Sequence, residues 1–98
     1  MVVTRFEWDE SKNLANQKKH GIDFADAAAM FADPLHLTVF DGFDGGEERW
    51  RTFGLVDGYA LIMVAHAYRD QDGGEVIRLI SARRATRYER NHYEREQG

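Results

Sequence analysis

The sequence predicts an α+β fold in which helices pack against an antiparallel sheet, in the order β-α-α-β-β-β-β-α. Capping residues mark two helices near the N-terminus, apolar runs separated by turns fill the middle of the chain, and a capping box begins a helix near the C-terminus. The chain has 98 residues, which suits a single domain spanning residues 1–98.

The N-terminal third is predicted to form a strand followed by two helices. Residues 4–8 read TRFEW and form the strand. Asp9 is a typical N-cap, and the helix that it begins, residues 10–20, ends at Gly21 because glycine readily adopts the left-handed conformation of a helix C-terminus. Asp23 caps a second, more apolar helix, which ends before the only proline of the chain.

The first of these helices is unusually polar. Lys12, Asn16 and Lys19 are spaced at i, i+4 and i+7 and therefore share one face. Leu14 and Ala15 supply only a thin apolar stripe.

The remaining strands are predicted at 35–40, 49–56, 59–69 and 76–82. The dipeptide at 57–58, Asp-Gly, is the strongest short-range signal of a hairpin. A loop of six residues, 70–75, joins the last two strands. A last helix is predicted from about 87 to 96, because Thr86 and Glu89 have the spacing of a capping box.

The turns also predict which strand residues lie opposite one another. A symmetric loop places Ala67 opposite Arg78 and Ala65 opposite Ile80, and a two-residue turn places Trp50 opposite Ala65. One face then forms an open, positively charged hollow bordered by an aromatic ring: Trp50, Ala65, Ala67, Arg69 and Arg78. The other face is better suited to packing beneath helices: Ile62, Val64, His66, Tyr68, Ile77 and Leu79.

Charge is acidic overall but unevenly distributed. The formal net charge is −4, which argues against a general nucleic-acid binder. All three lysines nevertheless lie within residues 12–19, and six of the ten arginines lie within residues 78–95. A locally basic surface on an acidic protein suits an anionic substrate and a partner that covers the site.

Composition also limits the class of protein. The chain has no cysteine, which excludes disulfides and thiolate chemistry and fits a reducing compartment. The N-terminus lacks the apolar core of a signal peptide, and no apolar run is long enough to span a bilayer. A cytoplasmic protein with no membrane partner is therefore expected.

The four histidines show no metal-ligand spacing, so neither a metal site nor a cofactor is predicted. His66 lies mid-strand between apolar residues and is expected to be a hydrogen-bonded core residue. His20 differs, because it ends a helix beside Lys19 at a glycine stop. It is either a cation favoured by the helix dipole or a general acid or base.

Two adjacent arginines, Arg83 and Arg84, end a buried strand. They could pair with Glu89 or with the acidic loops, as many exposed charges do. Their two planar, permanently charged guanidinium groups could equally bind a phosphate and stabilise the charge that develops on it during transfer. Metal-free RNA cleavage needs a base that removes the proton of the ribose 2′-OH and cations that stabilise the pentacoordinate phosphorane.

Two separated groups of residues resemble the motifs of a known family. The first group is Phe6, Glu7, Trp8, Asp9, Lys12, Asn16, Lys19, His20, Gly21, Ile22 and Phe24. The second group is Asp-Pro at 33–34, EERW at 47–50, ISARRAT at 80–86, Glu89 and Tyr93. In this order they resemble the BrnT toxins over essentially the whole chain.

The resemblance implies a RelE-like fold and a type II toxin, a ribonuclease that cleaves RNA without metal and thereby inhibits translation and growth. It favours a catalytic set of Lys19, His20, Arg83 and Arg84. It also implies substrate contacts from Trp8, Lys12 and Arg78. The simplest chemistry uses His20 as the base and leaves a 2′,3′-cyclic phosphate.

The partners implied by the resemblance are RNA and a BrnA-type antitoxin encoded beside the toxin. Operator DNA would be contacted only indirectly, through that antitoxin. The alternative is a non-catalytic partner-binding domain that acts as a corepressor with a DNA-binding antitoxin. The two functions share a complex and differ in whether the basic hollow performs chemistry.

Overall fold

The structure, a computed structural model, describes residues 3–58, 60–71 and 74–96. Its strands are β1 (Val3–Glu7), β2 (Leu37–Asp44), β3 (Glu47–Val56), β4 (Ala60–Gln71) and β5 (Gly74–Arg84). Its helices are α1 (Glu10–His20), α2 (Phe24–Ala28), a short 3-10 helix (Ala29–Ala32) and α3 (Arg87–Glu96). The α+β class is confirmed, and the second predicted helix is divided into α2 and the short 3-10 helix that follows it.

The described strands form one five-stranded sheet in the order β1-β5-β4-β3-β2. Strands β2 to β5 form an antiparallel meander, but β1 pairs with β5 in parallel. The sheet is therefore mixed, and the prediction of an antiparallel sheet is wrong for β1. Turn signals fix the direction of consecutive strands only, whereas β1 and β5 are far apart in sequence and helices intervene.

The register differs from the predicted one because a hairpin loop is longer than expected. Val56 lies opposite Ala60, so three residues rather than two separate the strands, and Trp50 consequently lies opposite His66 instead of Ala65. A one-residue change moves a side chain to the other face. Trp50 therefore does not border the arginine-bearing hollow. Tyr59, which was predicted to begin the strand, lies outside the described residues.

Pairing of β4 with β5 is partly as predicted. Ala67 lies opposite Arg78, but a bulge at Ile80 sets Ala65 opposite Ser81 instead. The strands also extend into the predicted six-residue loop, of which residues 72 and 73 lie outside the described residues. The side chains of Ala67 and Arg78 remain on the face away from α2.

The main core lies between α2 and the face of the sheet that α2 covers, which we call the α2 side. Its buried members are Phe24, Ala27, Met30, Ile62, Val64, Ile77, Leu79 and Ala82. His66 is fully buried on the same face, as predicted, and its Nε2 lies 2.7 Å from Thr52 Oγ1. Burial lowers the pKa of His66 to about 4, so the imidazole is neutral near pH 7.

Helix α3 covers part of the other face. Tyr93 packs there in a cluster with Phe53, Leu61 and Met63. The capping box is confirmed, because the Thr86 N–H donates to Glu89 Oε1 at 2.9 Å and the Glu89 N–H donates to Thr86 Oγ1 at 3.1 Å.

Candidate functional site

Two buried asparagines fix α1 to the rest of the fold. The Asn16 side chain donates to the carbonyl of Ala82 at 2.9 Å and accepts from the N–H of the same residue at 3.1 Å. The Asn13 Oδ1 accepts from the N–H of Phe24 at 2.9 Å. These hydrogen bonds of the side-chain amides explain how so polar a helix is held against the sheet, since each buried amide has its partner.

The predicted apolar stripe of α1 is not used for this packing. Leu14 is 59% exposed, and Ala15 is exposed as well. The stripe does not pack because the asparagines turn the opposite side of the helix toward β5. Lys12 and Lys19 are both exposed, whereas Asn16, which shares their face in the sequence pattern, lies buried against β5.

Helix α1 lies along an edge of β5 that β1 leaves open. The β1–β5 pairing ends at Glu7 and Arg78. Beyond that point Asn16 bonds both the N–H and the carbonyl of Ala82, which are the groups that a neighbouring strand would otherwise satisfy. The helix thereby forms one wall of an open region at the end of β1.

A groove with a volume of about 520 Å³ occupies this region. The described residues that line it are Glu7, Trp8, Asp9, Lys12, Arg49, Arg78, Leu79 and Ile80. The structure thus brings together Trp8, Lys12 and Arg78, the three residues predicted to contact substrate. We refer to it as the Lys12 groove.

Carboxylates hold the two arginines of the Lys12 groove. Glu47 bonds Arg78 and also lies 3.3 Å from Arg49, which in turn is 3.6 Å from Asp44. All of these side chains are at least partly exposed, so their ion pairs are screened and readily exchanged. An incoming phosphate can therefore replace Glu47 as the partner of both guanidinium groups.

Sequence reasoning missed Arg49. The segment EERWR alternates in the strand, so Arg49 and Arg51 share one face and Trp50 lies on the other. The predicted register placed Trp50 on the side of Arg78. In the observed register Trp50 lies opposite His66, and Arg49 therefore projects from the same face as Arg78 and lines the Lys12 groove.

Two members of the predicted catalytic set lie at the far end of α1. Lys19 is exposed and His20 is partly exposed in the last turn. Gly21 ends the helix with φ of 73°, and its N–H donates to the Gln17 carbonyl at 2.8 Å. Seven residues of α-helix separate Lys12 from Lys19, which corresponds to about 10 Å along the axis.

The other two members, Arg83 and Arg84, project from opposite faces of β5. Arg83 lies opposite Met63 on the α3 side, and Arg84 lies opposite Ile62 on the α2 side. Arg84 and Gly21 line a common small pocket. The structure therefore brings Arg84, and not Arg83, to the end of α1 at which His20 lies.

Arg83 forms a two-pronged ion pair with Glu89. Its Nη1 and Nη2 atoms lie 2.8 Å and 3.0 Å from the two carboxylate oxygens. Arg83 is the largest influence that lowers the pKa of Glu89 to about 2, and the N–H of Thr86 acts in the same direction. This pair joins the end of β5 to the first turn of α3 and is the first of the two roles expected for these arginines.

Within the described parts of the chain, no helix is long and apolar enough to cross a membrane. Among the same residues, no group of three or more His, Cys, Asp or Glu side chains is placed to hold a metal ion.

Comparisons with known proteins agree on one family. The family model for BrnT, described as the ribonuclease toxin of type II toxin-antitoxin systems, matches residues 8–89. Among solved structures, the chain is similar to the Brucella abortus ribonuclease toxin BrnT, with 24% identity and a TM-score of 0.58 over 87% of this chain and 100% of that chain. No curated protein matches the chain. The family match includes every predicted site residue.

Proposed function

This chain belongs to the BrnT family of ribonuclease toxins of type II toxin-antitoxin systems, and from that premise we propose that it is a metal-independent endoribonuclease with a RelE-like fold. In this proposal a BrnA-type antitoxin encoded beside it neutralises the enzyme, and operator DNA is contacted only through that antitoxin. The protein acts in the cytoplasm, where it inhibits translation and growth by cutting RNA.

The observation that carries the proposal is the Lys12 groove. Three cationic side chains and one indole line it beside the carboxylates of Glu7 and Asp9, and cations with an aromatic ring are the combination that binds single-stranded nucleic acid. Lys12, Arg49 and Arg78 neutralise successive phosphates, while a base stacks on Trp8. The acidic net charge of the whole chain does not oppose this, because the groove supplies the local field.

The chemistry is assigned to the opposite end of α1. The His20 imidazole accepts the proton of the ribose 2′-OH, the 2′-oxygen forms a bond to phosphorus, and the bond from phosphorus to the 5′-oxygen breaks. The leaving oxygen takes a proton from Lys19, so the products are a 2′,3′-cyclic phosphate and a 5′-OH. Arg84 stabilises the charge that develops on the phosphorane.

Arg83, the fourth member of the predicted catalytic set, has a mainly structural role in this proposal. Its guanidinium is held by Glu89, so it reaches the phosphate only by exchanging that carboxylate for RNA. Its first contribution is to keep the end of β5 in place, which positions the adjacent Arg84.

A second candidate function is the non-catalytic corepressor. The observation that favours it is that Arg49, Arg78 and Arg83 all pair with carboxylates, as expected of arginines with a structural role. In that case the chain would bind its antitoxin and assist repression without cutting RNA.

The test is cleavage of single-stranded RNA by purified, antitoxin-free protein in EDTA, with analysis of the product ends. We expect cleavage to persist and the ends to be 2′,3′-cyclic phosphate and 5′-OH. A His20→Ala variant should lose most of the rate, whereas a His92→Ala variant on α3 serves as the matched control. Strict dependence on Mg²⁺ with 3′-OH ends would contradict the mechanism, and absence of any cleavage would favour the corepressor.

A further inference from the structure

A row of aromatic side chains crosses three adjacent strands on the α2 side of the sheet. Phe40 contacts Phe43 and Trp50 with ring centroids 5.4 Å and 5.2 Å apart, and Trp50 contacts Tyr68 at 5.7 Å. Phe43 is 68% exposed and Phe40 is 48% exposed. These four residues, termed the aromatic row, form a continuous apolar surface that is exposed at Phe40, Phe43 and Tyr68 and partly exposed at Trp50.

The aromatic row lies where the helices no longer cover the sheet. The last helical residue that covers the sheet beside the row is Phe31, whose ring centroid lies 5.2 Å from that of His66. The ring centroid of His66 lies in turn 5.1 Å from that of Tyr68, the first member of the row. A largely apolar groove of about 620 Å³ lies beside Tyr68 and is walled by Phe6, Phe31 and Ile77 among others. Contiguous exposed apolar surfaces of this kind mark interaction sites.

Carboxylates flank the aromatic row. Glu48 lies opposite Phe43 in the register and therefore shares its face. Glu75 lines the groove beside Tyr68, and burial together with the Glu75 charge raises the pKa of the Tyr68 hydroxyl. By strand alternation, the arginines of the described strands project from the opposite face, with Arg84 as the exception.

This charge pattern selects among possible occupants. Two carboxylates beside the rings repel the phosphates of RNA, and no arginine of the described strands lies beside the rings to offset them, which disfavours nucleic acid at the aromatic row. A second copy of the chain would bring an identical pair of carboxylates to a two-fold interface. An apolar segment that also carries lysine or arginine complements both the rings and the charges.

We propose that the aromatic row and its adjoining groove are the docking surface for the antitoxin, which places apolar side chains on the rings and basic side chains on Glu48 and Glu75. The inference rests on the proposed function only for the identity of that partner. Because Arg49 and Arg78 project from the opposite face, the docking surface is separate from the Lys12 groove, which differs from the expectation that the partner covers the basic site. Binding of the antitoxin and cleavage of RNA therefore depend on different residues.

The experiment measures the Kd of the chain for the antitoxin encoded beside it, together with RNA cleavage by the chain alone. The double variant Phe40→Ser with Phe43→Ser is compared with Leu14→Ser, which replaces an equally exposed apolar residue on α1. We expect the double variant to raise the Kd by about 100-fold or more, as loss of central aromatic anchors does. Cleavage should stay within about twofold of the unmodified chain, since Phe40 and Phe43 touch no cation of the Lys12 groove.

The charge component is tested with the double variant Glu48→Gln and Glu75→Gln. It should slow association and reduce the salt dependence of the association rate, whereas Glu96→Gln on α3 should change neither. Circular dichroism at increasing temperature confirms that each variant folds.

The outcomes separate this inference from the proposed function. An unchanged Kd of the Phe40/Phe43 variant for the antitoxin overturns the docking surface. The docking surface is also overturned if the variant loses RNA binding or self-association but still binds the antitoxin. If the unmodified chain cuts no RNA but the Kd still rises in the variant, the docking surface stands and the ribonuclease mechanism fails.

Discussion

The Lys12 groove and the aromatic row are two surfaces of different chemistry on one small sheet. The groove combines three cations and an indole with the carboxylates of Glu7 and Asp9, whereas rings and flanking carboxylates make up the row. Both arise from the same alternation in β3, in which Arg49 and Trp50 are neighbours that project from opposite faces. If both proposals hold, strand periodicity lets one segment serve an anionic substrate on one side and a protein partner on the other.

The largest expected effect comes from removing the cations of the groove. The double variant Lys12→Ala with Arg78→Ala should lower kcat/KM for RNA cleavage by about two to four orders of magnitude, because each charged hydrogen bond to a phosphate contributes about 1.5–3 kcal/mol and about 1.4 kcal/mol corresponds to a tenfold change. Its Kd for the antitoxin should stay within about threefold. Arg87→Ala on α3 is the control, and an unchanged kcat/KM in the double variant would remove the groove from the account.

A second comparison separates the two adjacent arginines. Arg84→Ala should lower the cleavage rate by about 100-fold with little change in Tm, since its side chain makes no ion pair among the described contacts. Arg83→Ala should lower the unfolding free energy by about 1–3 kcal/mol, because it leaves the largely buried Glu89 carboxylate without its main partner. Thermal unfolding and single-turnover cleavage of both variants distinguish these roles. Equal losses of rate and stability in both would show that they act as one unit.

A third prediction concerns the attachment of α1. Asn16→Ala removes the bonds to both backbone groups of Ala82, and it should cost roughly 1–3 kcal/mol because those groups are buried. Leu14→Ala should cost less than about 0.5 kcal/mol, as expected for an exposed residue. Urea denaturation measures both. A larger loss for Leu14→Ala would mean that the helix is held by its apolar stripe after all.

The last prediction concerns the pH dependence of stability. Burial lowers the folded-state pKa of His66 from 6.5 to about 4, so the unfolded chain binds the proton more readily. The stabilising contribution of His66 is complete above about pH 6.5 and is lost as pH falls from there toward 4. Urea denaturation across this range checks the slope, and NMR should show a neutral His66 ring at pH 5.5. A ring that titrates near pH 6.5 would contradict the assignment.

The sequence predicted local features well, because each rests on a few neighbouring residues. The α1 caps at Asp9 and Gly21 and the Thr86 and Glu89 capping box are formed as predicted. Features that depend on distant pairing were not predicted. The parallel β1–β5 pair has no local signal, and one additional loop residue between Val56 and Ala60 moved Trp50 to the other face.

The candidate site shows the same division. Trp8 and Lys12 lie close in sequence, and the pairing of β1 with β5 adds Arg78 to them. Arg83 and Arg84 are neighbours in sequence, yet adjacent strand residues project from opposite faces, so their guanidinium groups do not lie side by side on one face. The role of Asn16 could not be foreseen, since the motif gives no indication that its amide would satisfy the open edge of β5.

The most direct test of the two-surface account uses the two tryptophans of the chain, Trp8 in the Lys12 groove and Trp50 in the aromatic row. Their indole N–H signals are followed by NMR as a short, non-cleavable 2′-O-methyl RNA or the antitoxin is added separately to the labelled chain. The account predicts that RNA shifts the Trp8 signal and leaves Trp50 in place, while the antitoxin shifts Trp50. RNA that shifts Trp50 and spares Trp8 would contradict it.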